Sequence, residues 1–417
     1  MVDNGLYKFI AGLLCLATAA ALVLIPTESE AVDLTDGIRF GAFSIHPALA
    51  SHIRYVDNVY FVPNNYIPAT PYDVPQQLEA DFVVNVQPSV LFDISIPTFT
   101  FQTGYRFYND NYLGYDDPDG QHNKLNSSNH TANALIDYQA PFGLLLKLQD
   151  IYTIQETFEE SKQYVDYLRG EQSHNDARGL IGFTHGPEKN LYFTYTYVNI
   201  LDQYSDQENE IYNKMTQFHQ GEARLKFFPR TAIVINGQYG LVDYTETNEF
   251  DSSVYEGMAG LQGQITSFLL MTLKAGYSFY DYNQNEDAQG VIGNAEFGFV
   301  FPSLTRLSLG YRRQYRDAIN TNFYLSDEAY LDFTRLWFTR LTTDVFASYQ
   351  LNEFSDPDPR HEDFLQVKFD MMVRLVFWLY TGAGYQLEHK VITFEDQNVD
   401  PDTITRNIIM LKVLAQF

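Results

Sequence analysis

Over long stretches of this 417-residue chain every second residue is apolar, and that alternation limits what it can fold into. In Thr305–Arg312, Leu307, Leu309 and Tyr311 share one face, while Arg306, Ser308, Gly310 and Arg312 share the other. In 366–375, Val367, Phe369, Met371 and Val373 oppose Gln366, Lys368, Asp370 and Arg374. A strand points successive side chains to opposite faces, so a period of two means strands with one apolar and one polar face. A soluble sandwich reads the same way, and the connections separate the two. Short ones fall near 95–98, 140–143, 186–190, 228–231, 266–268, 301–305, 337–341 and 375–378. Long ones fall in between, near 57–79, 109–128, 157–174, 202–213, 245–251, 281–287, 317–322, 355–361 and 393–402. Short periplasmic turns alternating with long outer loops mark an outer-membrane barrel. The expectation is all-β: a transmembrane antiparallel up-and-down barrel of about eighteen strands (sixteen to eighteen), with both termini on the periplasmic side.

The first residues read as an export signal. Lys8 precedes an apolar run from Phe9 to Ile25, Pro26 breaks it, and Ser29 and Ala31 place small residues for cleavage after Ala31. Residues 1–31 are therefore expected as a signal peptide and 32–417 as a single barrel domain. The run is short and poorly flanked for an N-terminal membrane anchor, the alternative reading. The only cysteine, Cys15, lies inside this leader, and bulky Leu14 before it argues against lipidation. A cysteine-free mature chain excludes disulfides, thiolate metal sites and covalent haem.

Composition narrows the function. Tyr (31) and Phe (32) each outnumber Lys and Arg combined (27), yet no second long apolar run exists, as expected when every other residue faces water. The net charge of −26 argues against nucleic acid as a partner. The nine histidines show no metal-ligand spacing, and neither a phosphate loop nor a nucleophile elbow is present. The reading is a non-enzyme without metal or cofactor. Tyr115–Gly120 looks calcium-like, but its glycine comes too early for an EF-hand, so a solvated acidic turn is the better reading.

Tyr239, Tyr277, Tyr311, Tyr349 and Tyr385 recur on successive upward strands, one per hairpin, on the apolar face. Amphipathic rings at fixed depth suit a lipid interface, and Trp337 and Trp378 fall at short turns where a periplasmic girdle belongs. The last strand alternates Ile409, Leu411, Val413 and Ala415 and ends on Phe417, resembling the C-terminal signal read by the barrel assembly machinery. The opposite face carries the candidate pore lining: Arg106, Arg224, Lys226, Lys274, Arg306, Arg312, Arg316, Lys368, Arg374, Lys390 and Lys412. Arg54, Lys147, Arg178 and Arg406 join them, against fewer inward acids, namely Asp93, Asp137, Glu222, Glu256, Glu296, Asp332, Asp344, Asp370 and Glu388. Inward Tyr108, Tyr192, Tyr280, Tyr330 and Tyr380 are candidate stacking rings. Phe158, Lys162, Val165 and Arg169 stand at helical spacing and suggest a short inward helix in the third long loop.

Phe43-Ser44-Ile45-His46-Pro47-Ala48-Leu49, then Tyr55-Val56-Asp57-Asn58-Val59-Tyr60, then Val84-Asn85-Val86-Gln87-Pro88-Ser89-Val90, give a Pro-bearing strand, an Asp-Asn-Val turn and a second Pro-bearing strand. This resembles the second of the outer-membrane β-barrel porin families, over about residues 40–92. The resemblance implies a link to exopolysaccharide export and supplies no catalytic motif. Three functions remain open: a pore exporting an exopolysaccharide or other solute, a general diffusion porin, and a barrel sheathing a partner such as a multihaem electron conduit. The expected partners are outer-membrane lipid and lipopolysaccharide, the barrel assembly machinery and periplasmic polysaccharide-export components.

Overall fold

A computed structural model describes residues 37–59, 61, 79–115, 122–158, 169–186, 190–205, 207–246, 251–283, 287–302, 304–317, 323–355, 359–394 and 401–416. The leader 1–31, residues 116–121 of the acidic turn, and Phe417 lie outside them.

Nineteen strands account for most of the described chain. After the short β1 (Ile38–Phe40) come β2 (Phe43–Val56), β3 (Asp81–Ile96), β4 (Phe99–Tyr112), β5 (Ser127–Gln139), β6 (Leu144–Phe158) and β7 (Arg169–His185). They continue as β8 (Leu191–Tyr204), β9 (Lys214–Phe228), β10 (Thr231–Tyr244), β11 (Ser252–Gln264), β12 (Leu269–Tyr282) and β13 (Ala288–Phe301). The remainder are β14 (Thr305–Asp317), β15 (Phe323–Trp337), β16 (Leu341–Phe354), β17 (Arg360–Val376), β18 (Leu379–Phe394) and β19 (Asp402–Gln416). Each of β2 to β19 pairs antiparallel with its sequence neighbours. β19 returns to β2 over Ile408–Val56 to Gln416–Ala48, which closes an eighteen-stranded barrel. Closure satisfies the backbone without leaving an edge, as a membrane demands.

β1 was not foreseen. The β19 ladder stops at Ala48, leaving the first residues of β2 without a neighbour on that side. β1 fills part of the vacancy, pairing Ile38 with Ile45 and Phe40 with Phe43.

One rim is built from short turns such as 97–98 and 229–230, the other from the longer connections. Three of the connections expected to be long, 283–287, 318–322 and 355–359, span only five residues, because the strands run further than the alternation suggested. The third long loop needs correction too. Phe158 pairs with Arg169 in the last row of the β6–β7 ladder, so these two residues belong to a hairpin and not to a helix. Lys162 and Val165 lie outside the described residues.

Register carries one face around the whole wall. The outward face exposes large apolar groups: Leu148, Ile235, Val291 and Leu411 are each more than half exposed. Such a surface is unfavourable in water and favourable against hydrocarbon. No helix of the described residues is long and apolar enough to cross a membrane; the crossing belongs to the strands. Strands of 13–17 residues exceed the roughly 9–11 that a bilayer requires. Their loop-rim ends therefore project beyond it, which accommodates the outward Arg313–Asp327 ion pair (2.8 Å). Apolar exterior and closed wall together make this chain an outer-membrane barrel.

Orientation is testable by surface labelling. A membrane-impermeant maleimide is expected to modify Ser205→Cys, at the loop rim, in intact cells and to spare Thr266→Cys, in a short turn. The reverse pattern would invert the barrel.

Candidate functional site: the lumen wall

The inward face of every strand is polar for much of its length. Register places Arg54, Arg106, Lys147, Arg178, Arg224, Lys226 and Lys274 on it. Arg306, Arg312, Arg316, Lys368, Arg374, Lys390, Arg406 and Lys412 also face inward. Inward acids are more numerous than the alternation alone suggested. Asp110, Asp176, Asp202, Glu328 and Glu362 join them, because the strands reach further toward the loop rim. The expected surplus of wall cations shrinks accordingly.

Most of these charges are paired. Arg54 meets Asp110 at 2.7 Å, and Asp110 also accepts from Asn85 (2.9 Å) and Tyr108 (2.9 Å). Glu362 accepts from Arg360 (2.8 Å) and Lys390 (2.9 Å), and Arg406 donates to Glu388 (2.7 Å). Arg178 pairs with Asp176, and Arg224 with Glu222. Arg312 and Arg316 converge on Glu328 at 3.8 and 3.9 Å. Glu296, another inward acid, accepts from the Tyr330 hydroxyl (2.6 Å) instead. Among the described contacts, Arg106, Lys147, Lys226, Arg306, Lys368 and Arg374 have no carboxylate within ion-pair distance. Arg374 reaches the Thr339 carbonyl instead (3.2 Å). Lys226, Arg306 and Arg374 all lie within two residues of their strand's turn-rim end.

Several contacts skip a strand, and inward glycines make that possible. Gly310 sits between Glu296 on β13 and Tyr330 on β15. A Cβ there would fall 2.1 Å from the Tyr330 ring, so only glycine lets that ring lie across β14 and reach Glu296. Gly384 does the same between β17 and β19. Its Cβ would meet Asp370 Oδ1 at 2.3 Å and Lys412 Cε at 3.3 Å, and the Lys412–Asp370 ion pair passes over it. Gly310 and Gly384, which precede Tyr311 and Tyr385, thus have a lumenal purpose. Gly384→Val is expected to break the Lys412–Asp370 pair and lower the temperature at which the barrel unfolds on gels, while Ala383→Val, outward and beside it, leaves that temperature unchanged. Equal behaviour of the two variants would refute the bridging role.

The candidate stacking rings have separate fates. Tyr192 lies against Arg224 (5.4 Å from guanidinium carbon to ring centroid) and Tyr108 is tied to Asp110. Tyr280 is buried in a cluster with Val254, Tyr282 and Ala288, so it packs the wall and offers no free face. On the outside, Tyr239, Tyr277, Tyr311, Tyr349 and Tyr385 are all exposed. Trp337 ends β15 with the Arg335 guanidinium 3.5 Å from its ring, and Trp378 lies in the turn before β18.

Sequence reading missed a buried cluster at the loop rim. His122 is fully buried, with Nδ1 2.9 Å from Asp81 and Nε2 2.7 Å from Glu79. Asp81 also accepts from the Gly114 and Tyr115 amides, both at 2.9 Å. His122 and Glu79 are far apart in sequence and belong to different connections, so no local pattern could reveal them.

No protein-family model and no curated protein matches the chain. Solved structures similar to it include the outer membrane protein OpdK from Pseudomonas aeruginosa, at 10% identity and a TM-score of 0.46, covering 90% of this chain and 99% of that one. A mutant of the ferric enterobactin receptor PfeA from the same organism aligns at 10% identity and 0.48, covering 89% and 80%. A loop-deletion mutant of the outer membrane protein OmpT of Vibrio cholerae aligns at 10% and 0.41, covering 90% and 99%. At these identities and scores the likenesses assign no substrate.

Proposed function

We propose that this barrel is a pore through which an exopolysaccharide leaves the periplasm. The observation that carries the reading is the lumen wall itself, a near-continuous lattice of amides, hydroxyls and mutually paired charges. A polyhydroxylated chain exchanges its water hydrogen bonds for such a wall at little net cost, whereas an apolar solute gains nothing there. With the turn rim facing the periplasm, Lys226, Arg306 and Arg374 stand at the entrance and attract acidic groups on an incoming polymer. Lipid and lipopolysaccharide surround the exterior, and periplasmic export components meet the turn rim.

Deleting the gene is expected to abolish secretion of the polymer and leave it in the periplasm. Unchanged secretion with slower uptake of small sugars would overturn the reading in favour of a general diffusion porin. For assembly, removing Phe417 is expected to leave precursor in the periplasm at unchanged synthesis, as a C-terminal insertion signal requires. Normal insertion of the shortened chain would refute that role.

A further inference from the structure

We infer that the wall between β8 and β11 carries a discrete subsite for one neutral sugar ring. The inference rests on the export reading, since it presumes a polyhydroxylated cargo in the lumen.

Three rows of paired residues define the place. Tyr192, Arg224, Val234, Gly260 and Lys274 form the row nearest the turn rim. Thr194, Glu222, Asn236, Met258 and Gly276 form the next. Thr196, Gln220, Gln238, Glu256 and Ser278 form the third. Tyr192, Arg224, Glu222, Asn236, Gln238 and Met258 of these rows are among the residues that border a recess of about 330 Å³. Ligand pockets run from about 300 to 1,000 Å³, so this one suits a single ring rather than a length of chain.

Charge balance excludes an anionic ligand. Glu222 is held from two sides, by Arg224 and by Lys274 at 3.4 Å. Lysine reaches across β11 and β10, past Gly260, where a Cβ would lie 2.7 Å from the Lys274 Cα. Glu256 is occupied by the hydroxyls of Ser278 (3.2 Å) and Tyr280 (3.4 Å). Two acids and two cations leave no formal charge. A phosphate or carboxylate would have to displace Glu222 from both of its cations, against a close ion pair in a partly desolvated wall.

The polar atoms left over call for hydroxyl groups. Asn236, in the middle row, lines the recess, while its Oδ1 is turned away from solvent and has no hydrogen-bond donor. Turning the amide brings that unsatisfied oxygen to the recess, where a ligand hydroxyl supplies the donor it lacks. Beside it, Gln220 donates to Gln238 (2.7 Å), a pair whose second amide atoms stay available toward the recess. Tyr192 and Met258 supply apolar contact for the C–H face of a ring. Acceptors, amides, a ring face and no net charge are the recognition set of a neutral pyranose.

Single-channel recording in planar bilayers tests this with maltohexaose as the neutral probe and hexagalacturonate as the acidic one. Maltohexaose is expected to produce resolved current blockades in the unmodified protein. Asn236→Leu should shorten them at least fivefold without changing open conductance, and leave hexagalacturonate events unaffected. Asn294→Leu, inward on β13 but outside the recess, should leave both as they were. If Asn236→Leu fails to insert, Gln238→Ala carries the same readout, since it removes one amide from the recess. Absence of maltohexaose blockades, or equal residence times in the Asn236 and Asn294 variants, overturns the subsite. Secretion in the deletion strain is scored separately: lost secretion with no blockades refutes the subsite alone, and blockades with normal secretion refute export alone.

Discussion

Changing Lys226, Arg306 and Arg374 together to glutamate is expected to turn a weakly anion-preferring or unselective pore into a cation-selective one. These three cations stand close to the turn rim and face no carboxylate among the described contacts. Most of the chain's net charge of −26 has no such standing, because loop acids in open solvent are screened over about 8–10 Å at ordinary ionic strength. Charges fixed on a confining wall act at lower effective dielectric and across the whole path of an ion. The wall as a whole is close to balance, since Asp110, Asp176, Glu328 and Glu362 answer cations deeper in the barrel. Three of the cations without a carboxylate partner stand together at the turn rim, which every ion must cross, so that rim weighs most on selectivity. Reversal potentials in a potassium chloride gradient measure it. An unchanged potential in the triple variant would place the selective region elsewhere, and strong cation selectivity in the unmodified protein would contradict the wall assignment.

Replacing His122 by leucine is expected to release the loop rim while leaving the barrel folded. The substitution removes both His122 ring nitrogens from the buried Glu79 and Asp81 carboxylates, and taking a hydrogen-bond partner from a buried polar group costs about 1–3 kcal/mol. Asp81 retains the Gly114 and Tyr115 amides. Combining His122→Leu with Glu79→Gln should recover much of the loss, because the second change removes one of the two buried charges that faced the histidine. Limited proteolysis of whole cells reads the outcome: the single variant is cut in the 57–80 and 113–126 connections, and the double variant resists. Heat-modifiable migration stays normal in both. Additive damage in the double variant would show that the cluster is not electrostatically coupled.

Much of this molecule was legible in one dimension. A strand has a period of two, so Leu307, Leu309 and Tyr311 could be assigned to lipid and Arg306 and Arg312 to the lumen without any knowledge of their neighbours. Turn spacing supplied the strand number, because an up-and-down barrel has no connections other than hairpins. The same counting set Tyr239, Tyr277, Tyr311, Tyr349 and Tyr385 on the outward face, where all five are exposed. Alternation stops being readable where both faces become polar, and the strands were underestimated at the loop rim for that reason. There the lipid ends while the ladder continues, as Arg313 and Asp327 show. The inward acids Glu328 and Glu362 were overlooked with it.

By itself, then, the sequence determined the fold class, the two faces of each strand and which side chains look into the lumen, all consequences of local periodicity. Only the tertiary structure decided which charges meet. Lys274 finds Glu222 across two intervening strands, Tyr330 finds Glu296 across Gly310, and His122 finds Glu79 across separate connections. Those pairings depend on inter-strand register, on strand tilt and on where a glycine leaves room. Each is a relation between residues distant in sequence, and periodicity within one strand carries no trace of it.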